Sequence, residues 1–158
     1  MSLSRQLRQK AAEGRPIRIG LVGAGKFGTM FLAQLRLTQG MHLAALSDLL
    51  PGRARERLIG VQWPAGQIDA KTIAEAVGSG RTCITDDAIA VIEHPAIDVI
   101  VEATGNPATG IRLASAAIDA GKHVVMVNVE ADALAGPLLA KRARQKGVVY
   151  SLAWGDQP

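Results

Sequence analysis

The sequence predicts a doubly wound α/β fold, a parallel sheet with helices on both faces, and three observations carry that expectation. Short β-branched runs alternate with stretches of helical periodicity along the whole chain. The runs are apolar nearly throughout, the pattern of strands buried on both faces. The first of them, Ile17 to Val22, leads straight into Gly23-x-Gly25-x-x-Gly28 and then into Phe27, Met30, Phe31 and Leu35 at near-helical spacing. Strand, glycine turn and helix in that order give the glycines a context that a bare GxGxxG lacks.

The elements follow in sequence. Residues 3–13 read as a short helical extension, with Leu3 and Leu7 on one side and Gly14-Arg15-Pro16 as its stop. The first strand and its glycine turn come next, and the helix after them runs from about Lys26 to Thr38, ended by Gln39-Gly40. Met41 to Ser47 is the second strand, closed by Asp48. Pro51 opens an arginine-rich helix, Arg53-Ala54-Arg55-Glu56-Arg57. Trp63 to Gly66 is a loop, and Asp69 to Val77 a further helix with Asp69 as N-cap. Thr82 to Thr85 is a short third strand, and Asp86 caps a helix through Glu93. Ile97 to Val101 is the fourth strand. Helix 109–120 follows it, with Ile111, Ala114, Ala117 and Ile118 on one side. Val124 to Val127 is the fifth strand, helix 131–146 carries Leu134, Leu138, Leu139 and Ala143, and Val148 to Leu152 is the sixth strand. With six strands and right-handed crossovers the expected order is 3-2-1-4-5-6, the Rossmann arrangement.

Composition narrows the classes. A chain of 158 residues that is 48% apolar can bury one full core. The net charge is +4, and Arg5, Arg8, Lys10 and Arg15 all precede the first strand without interleaved aromatics, so a nucleic-acid surface is not expected. The one cysteine, Cys83, excludes an intrachain disulfide framework, and the polar N-terminus lacks a secretory apolar core. A cytoplasmic protein without membrane spans is the resulting expectation. His42, His94 and His123 are scattered without metal-ligand spacing, so each reads as structural and no metal site is expected.

The glycine turn is the candidate site. Gly23 permits the tight turn, Gly25 lets a pyrophosphate approach the backbone, and Gly28 allows close packing of helix on strand. The helix start, with Lys26 and Phe27, offers free N–H groups and a positive dipole end. Lys26 lies either near the pyrophosphate or in solvent; it is not a P-loop lysine, since no Gly-Lys-Ser/Thr follows a four-residue gap. Asp48, twenty residues past Gly28, is either an acceptor for the adenosine ribose hydroxyls or a cap for the helix at Pro51. Arg53 or Arg55 can hold a ribose 2′-phosphate, or the arginines form a solvated helix face. Thr104 and Gly105 stand at the switch point after the fourth strand, and Asn128 at the end of the fifth. Glu102 has the chemistry of a general base, but a carboxylate at a strand end also accepts backbone amides, and the structural role is favoured.

Three blocks together resemble a known family: Gly23-x-Gly25-x-x-Gly28, then Val101-Glu102-Ala103-Thr104-Gly105, then Gly121-Lys122-His123-Val124-Val125 ending at Asn128. Their order is similar to that in the NAD(P)-binding domain of homoserine dehydrogenase-like oxidoreductases. The ending Tyr150 to Pro158 looks like the branch that includes deoxyxylulose-phosphate reductoisomerase-like enzymes. Val129 follows Asn128 where homoserine dehydrogenases have a lysine near the reacting carbon, which favours that branch. The resemblance implies an NAD(P)-dependent oxidoreductase acting on a small carbonyl or hydroxy compound, phosphorylated or not, with NADP slightly favoured over NAD. It also implies a catalytic and dimerisation portion beyond residue 158 and a homo-oligomer at full length. The catalytic residues stay unassigned. A stand-alone nucleotide-sensing module without catalysis is the alternative.

Overall fold

Backbone hydrogen bonding, together with two-sided burial of the strands, organises the chain. In the computed structural model, which describes residues 2–153, the elements alternate as the sequence pattern requires. They are α1 Leu3–Ala12, β1 Ile17–Val22, α2 Lys26–Leu35, β2 Met41–Ser47, α3 Pro51–Gly60, a 3₁₀ turn at Ala65–Gln67, α4 Ile73–Ser79, β3 Cys83–Thr85, α5 Ala88–Glu93, β4 Val99–Glu102, α6 Pro107–Asp119, β5 His123–Met126, α7 Val129–Lys146 and β6 Tyr150–Leu152. The sheet order is β3-β2-β1-β4-β5-β6 and every pairing is parallel. This is the expected Rossmann topology. The Trp154–Pro158 end of the reductoisomerase-like resemblance lies outside the described residues.

Alternate strand residues feed two cores. Leu21, Leu43, Leu46 and Val101 meet Leu32, Leu35 and Leu58 of α2 and α3, sealed by Trp63 and Ile68. Val22, Ile100, Val124 and Met126 meet Val91, Ile92, Leu113, Ile118 and Leu139 of α5 to α7. Because both faces of β1 and β4 are covered, their C-terminal ends are held rigidly, and the loops that leave them form the site.

Local hydrogen bonding corrects several boundaries. The helix expected from Asp69 starts at Ile73, because the Thr72 side chain accepts from Glu75 N at 3.1 Å while Glu75 accepts from Lys71 N at 2.8 Å. This reciprocal cap outcompetes Asp69, which instead pairs with Arg81 at 2.7 Å. Asp87, not Asp86, caps α5, accepting from Ala90 N at 2.9 Å. Asn106 caps α6 with Pro107 in its first turn, so that helix begins two residues early. Asn128 likewise caps α7, which begins at Val129. The fourth strand is Val99–Glu102 and not Ile97–Val101, since the Ile97 amide closes a turn onto His94 O at 3.1 Å. The helix after β1 ends at Leu35, with Thr38 N bonded to Leu35 O at 3.0 Å. Leu134 and Leu138 do not join the core: they are 74% and 60% exposed, and α7 packs instead through Ala131, Leu139 and Ala143.

Candidate functional site

The turn after β1 shows three separate constraints on its glycines. Gly23 has φ +97°, and a Cβ there would stand 2.5 Å from the Ala103 carbonyl oxygen, so the two loops could not pass. A Cβ on Gly28 would collide with the Gly23 carbonyl oxygen, so α2 packs on the turn only without one. Gly25 is different. Its φ of −70° suits any residue, and no heavy atom lies within 4 Å of where its Cβ would be. The backbone amides of Gly25, Lys26 and Phe27 find no acceptor among the described residues. Open space, free amides and the N-terminus of a ten-residue helix therefore coincide at Gly25.

Asp48 is tied to this turn. Its Oδ2 accepts from Ala24 N at 2.8 Å and its Oδ1 from Leu50 N at 3.0 Å. It is thus both a local turn acceptor before α3 and a neighbour of the glycines, and each oxygen retains accepting capacity. The three arginines of α3 separate. Arg53 is exposed and borders the cavity beside Asp48. Arg55 is exposed and borders none of the cavities around the glycine turn. Arg57 turns inward and donates from Nη1 to the Ala24 carbonyl. Helical spacing turns Arg55 away from Arg53 and Arg57, and Arg57, one turn beyond Arg53, is engaged by the Ala24 carbonyl, which leaves Arg53 as the arginine of α3 that borders the cavity.

Two cavities flank the turn. One of about 780 Å³ is bounded by Gly23, Asp48, Arg53, Asp87, Asn106 and Arg112. The other, about 320 Å³, is bounded by Gly25, Lys26, Phe27, Gly105, Asn128, Val129 and Glu130. Thr104 borders both. Gly23, Asp48 and Arg53 border the larger cavity, Gly25, Lys26, Phe27, Gly105 and Asn128 the smaller, and Thr104 both; Gly28 borders neither and packs against the Gly23 carbonyl instead. Arg112, Asp87 and Glu130 had been missed. The signal for Arg112 was available in Asn106-Pro107, which starts α6 early enough to bring its second turn to the switch point.

Thr104 and Asn128, which line the cavities, are backed by the buried carboxylate of Glu102. Glu102 is fully buried, and its Oε1 accepts both Thr104 N, at 2.9 Å, and the Thr104 hydroxyl. The Thr104 hydroxyl thus donates inward to Glu102 and accepts from Asn106 N at 3.4 Å, which leaves it one further accepting position. Burial raises the Glu102 carboxyl above the usual range, against the lowering by Thr104. Glu102 Oε2 and Asn128 Nδ2 have no partner among the described residues, while Asn128 Oδ1 accepts from Ala131 N at 3.0 Å. Both unpartnered atoms lie over Gly110, where a Cβ would stand 2.8 Å and 3.1 Å from them. The histidines are engaged by backbone: His42 with Arg81 O at 2.7 Å, His94 with Ala96 N at 3.2 Å, His123 with Val149 N at 3.0 Å. No helix among the described residues is long and apolar enough to cross a membrane.

The fold and the cleft define a nicotinamide-dinucleotide-binding domain of the oxidoreductase class. More particularly, the chain belongs to the family of homoserine dehydrogenase NAD-binding domains, whose model matches residues 23–152. A homoserine dehydrogenase of Pseudomonas aeruginosa is 31% identical over 137 residues, covering 87% of this chain and 29% of that protein. A 1-deoxy-D-xylulose 5-phosphate reductoisomerase of an Anaeromyxobacter species is 36% identical over 98 residues, 61% of this chain and 24% of that protein. Among solved structures, a biliverdin reductase from Synechocystis, in complex with biliverdin and NADP+, superposes with a TM-score of 0.61 at 25% identity, covering 87% of this chain and 37% of that one. The chain thus spans less than a third of the curated relatives it matches.

Proposed function

We propose that this domain holds NADP, or NAD, across the carboxyl ends of β1, β4 and β5 in an oxidoreductase that acts on a small carbonyl or hydroxy compound. The observation that carries the reading is the coincidence at Gly25 of unfilled space, three unpartnered amides and the α2 N-terminus. The residues present fit a dinucleotide on that ground, since a pyrophosphate needs those donors and that clearance. Gly23, Gly25, Lys26, Phe27 and Gly28 then form the pyrophosphate turn. Asp48 accepts from the adenosine ribose in the larger cavity. Arg53 takes a 2′-phosphate, and Arg112 lines the same cavity. Thr104, Gly105 and Asn128 border the nicotinamide half in the smaller cavity.

When bound, the nicotinamide supplies hydride chemistry, and the protein supplies position and electrostatics. Glu102 takes the Thr104 hydroxyl proton, so that hydroxyl meets a cofactor as an acceptor. Two backbone N–H groups already neutralise part of the Asp48 charge, which reduces its repulsion of a 2′-phosphate and supports NADP binding at least as tight as NAD. Val129 at the smaller cavity carries no proton to give, and the domain covers less than a third of the length of its relatives. We assign substrate binding and dimerisation to the remainder of such a protein, and no catalytic residue to this chain. Calorimetric titration of the purified chain with NADP+ and NAD+ tests the reading. Saturable one-site binding of NADP+ is expected; no binding of either dinucleotide would refute it.

A further inference from the structure

The Ala24 residue in the middle of the glycine turn is gripped from both sides. Its N–H donates to Asp48 Oδ2 at 2.8 Å, and its carbonyl accepts from Arg57 Nη1. Arg57 sits on the second turn of α3, half buried, beside the sealed contacts of Ala54 and Leu58. The peptide joining Ala24 to Gly25 is trans, as are all those described. In a planar trans peptide the C=O and the next N–H point in opposite directions. Drawing the Ala24 carbonyl toward α3 therefore aims the Gly25 N–H away from α3, toward the side where Gly25 borders the smaller cavity. That amide has no acceptor among the described residues.

From this geometry we infer that Arg57 is a positioning residue for dinucleotide binding: it holds the Ala24–Gly25 peptide so that the Gly25 amide is preset to receive a pyrophosphate oxygen. The inference rests on the dinucleotide reading above. It assigns Arg57 no contact with the ligand, unlike Arg53, whose side chain borders the larger cavity. A peptide fixed before binding loses less freedom when the anion arrives, so the grip strengthens affinity without touching the ligand. Glycine on one side of this peptide makes the fixation necessary, because Gly25 itself imposes little on its own torsions.

Arg57→Met keeps the apolar length of the side chain and removes the donors, and Arg57→Lys keeps one. The full chain and both variants would be titrated with NAD+, NADP+ and adenosine, with amide resonances followed by NMR. Arg57→Met is expected to weaken NAD+ and NADP+ by the same factor, about tenfold for one charge-assisted bond. Adenosine affinity should stay within about twofold and Arg57→Lys should recover part of the loss, the pattern expected of preset backbone donors. A loss confined to NADP+ would make Arg57 a direct 2′-phosphate ligand and overturn the inference. An equal loss for adenosine would show general loosening and overturn it too, as would unchanged affinity. Should Arg57→Met fail to fold, Arg57→Lys alone decides by the same comparison of NAD+ with NADP+. Absence of dinucleotide binding by the unmodified chain would overturn the dinucleotide reading and this inference together; normal binding with an indifferent Arg57→Met would overturn this inference only.

Discussion

Replacing Gly25 by valine separates binding from folding more sharply than any other single change in the turn. The Cβ position is empty to 4 Å and φ is −70°, so the folded chain can accept the side chain. Stability should change by no more than about 1 kcal/mol, since a smaller unfolded ensemble offsets the weaker N-cap. Binding should fall much further. The isopropyl group would fill the space beside the Gly25 and Lys26 amides, and two amide bonds to an anionic oxygen at about 1.5–3 kcal/mol each amount to roughly 3–6 kcal/mol. At about 1.4 kcal/mol per decade, that is a loss of at least a hundredfold in affinity for either dinucleotide. Calorimetric titration beside a thermal melt by circular dichroism reads both quantities. Gly23→Ala is the contrasting control: with φ +97° and the Ala103 oxygen 2.5 Å from the added carbon, it should cost stability first. Unchanged affinity in a well-folded Gly25→Val variant would refute the placement of the pyrophosphate.

Three further outcomes follow from the site. Arg53→Ala should weaken NADP+ by about tenfold or more and NAD+ by less than twofold, because only a 2′-phosphate offers it a charge-assisted partner; equal losses in titration would exclude that role. Glu102 has a carboxyl raised by burial, so its stabilising contribution is complete below the unfolded value and is lost as pH rises through the folded one, at about 1.4 kcal/mol per unit of elevation. Thermal midpoints measured from pH 4 to 8 should therefore fall with pH in the native chain by more than in Glu102→Gln; parallel curves would contradict the assignment. The isolated chain with NADPH and a panel of aldehydes, ketones and sugar phosphates should show no absorbance loss at about 340 nm above the buffer blank, since the reacting carbonyl must be held about 3–3.5 Å from the nicotinamide carbon; turnover that vanishes in Gly25→Val would make the chain a complete reductase.

The topology was legible because each strand is a short apolar run followed by a helical period, and parallel crossovers leave few alternatives. The glycine roles were legible for the same reason: strand, turn and helix fix what each glycine must do. Helix starts were less so. Asp69 and Asp86 have the chemistry of N-caps, but the choice among nearby caps depends on which backbone amide comes within reach, and Thr72 with Glu75, and Asp87, meet that condition. Leu134 and Leu138 look like core in a helical pattern, yet α7 packs on the sheet and α6 through Ala131, Leu139 and Ala143, and those two leucines lie on its other side. The arginines show the limit within the site. Arg53, Arg55 and Arg57 occupy alternate positions, so a helix turns Arg55 about 200° from Arg53 and brings Arg57 back to within about 40° of it one turn on; Arg55 faces solvent, Arg53 borders the cavity, and Arg57, nearer the glycine turn, grips Ala24.

The central claim is the place of the dinucleotide, and amide chemical-shift mapping of the ¹⁵N-labelled chain during titration with NADP+ tests it most directly. The largest shifts should fall on Gly25, Lys26 and Phe27, with a second group at Asp48, Thr104 and Gly105 and none on α1. Saturable shifts concentrated away from the glycine turn, or no shifts at millimolar NADP+, would contradict the account.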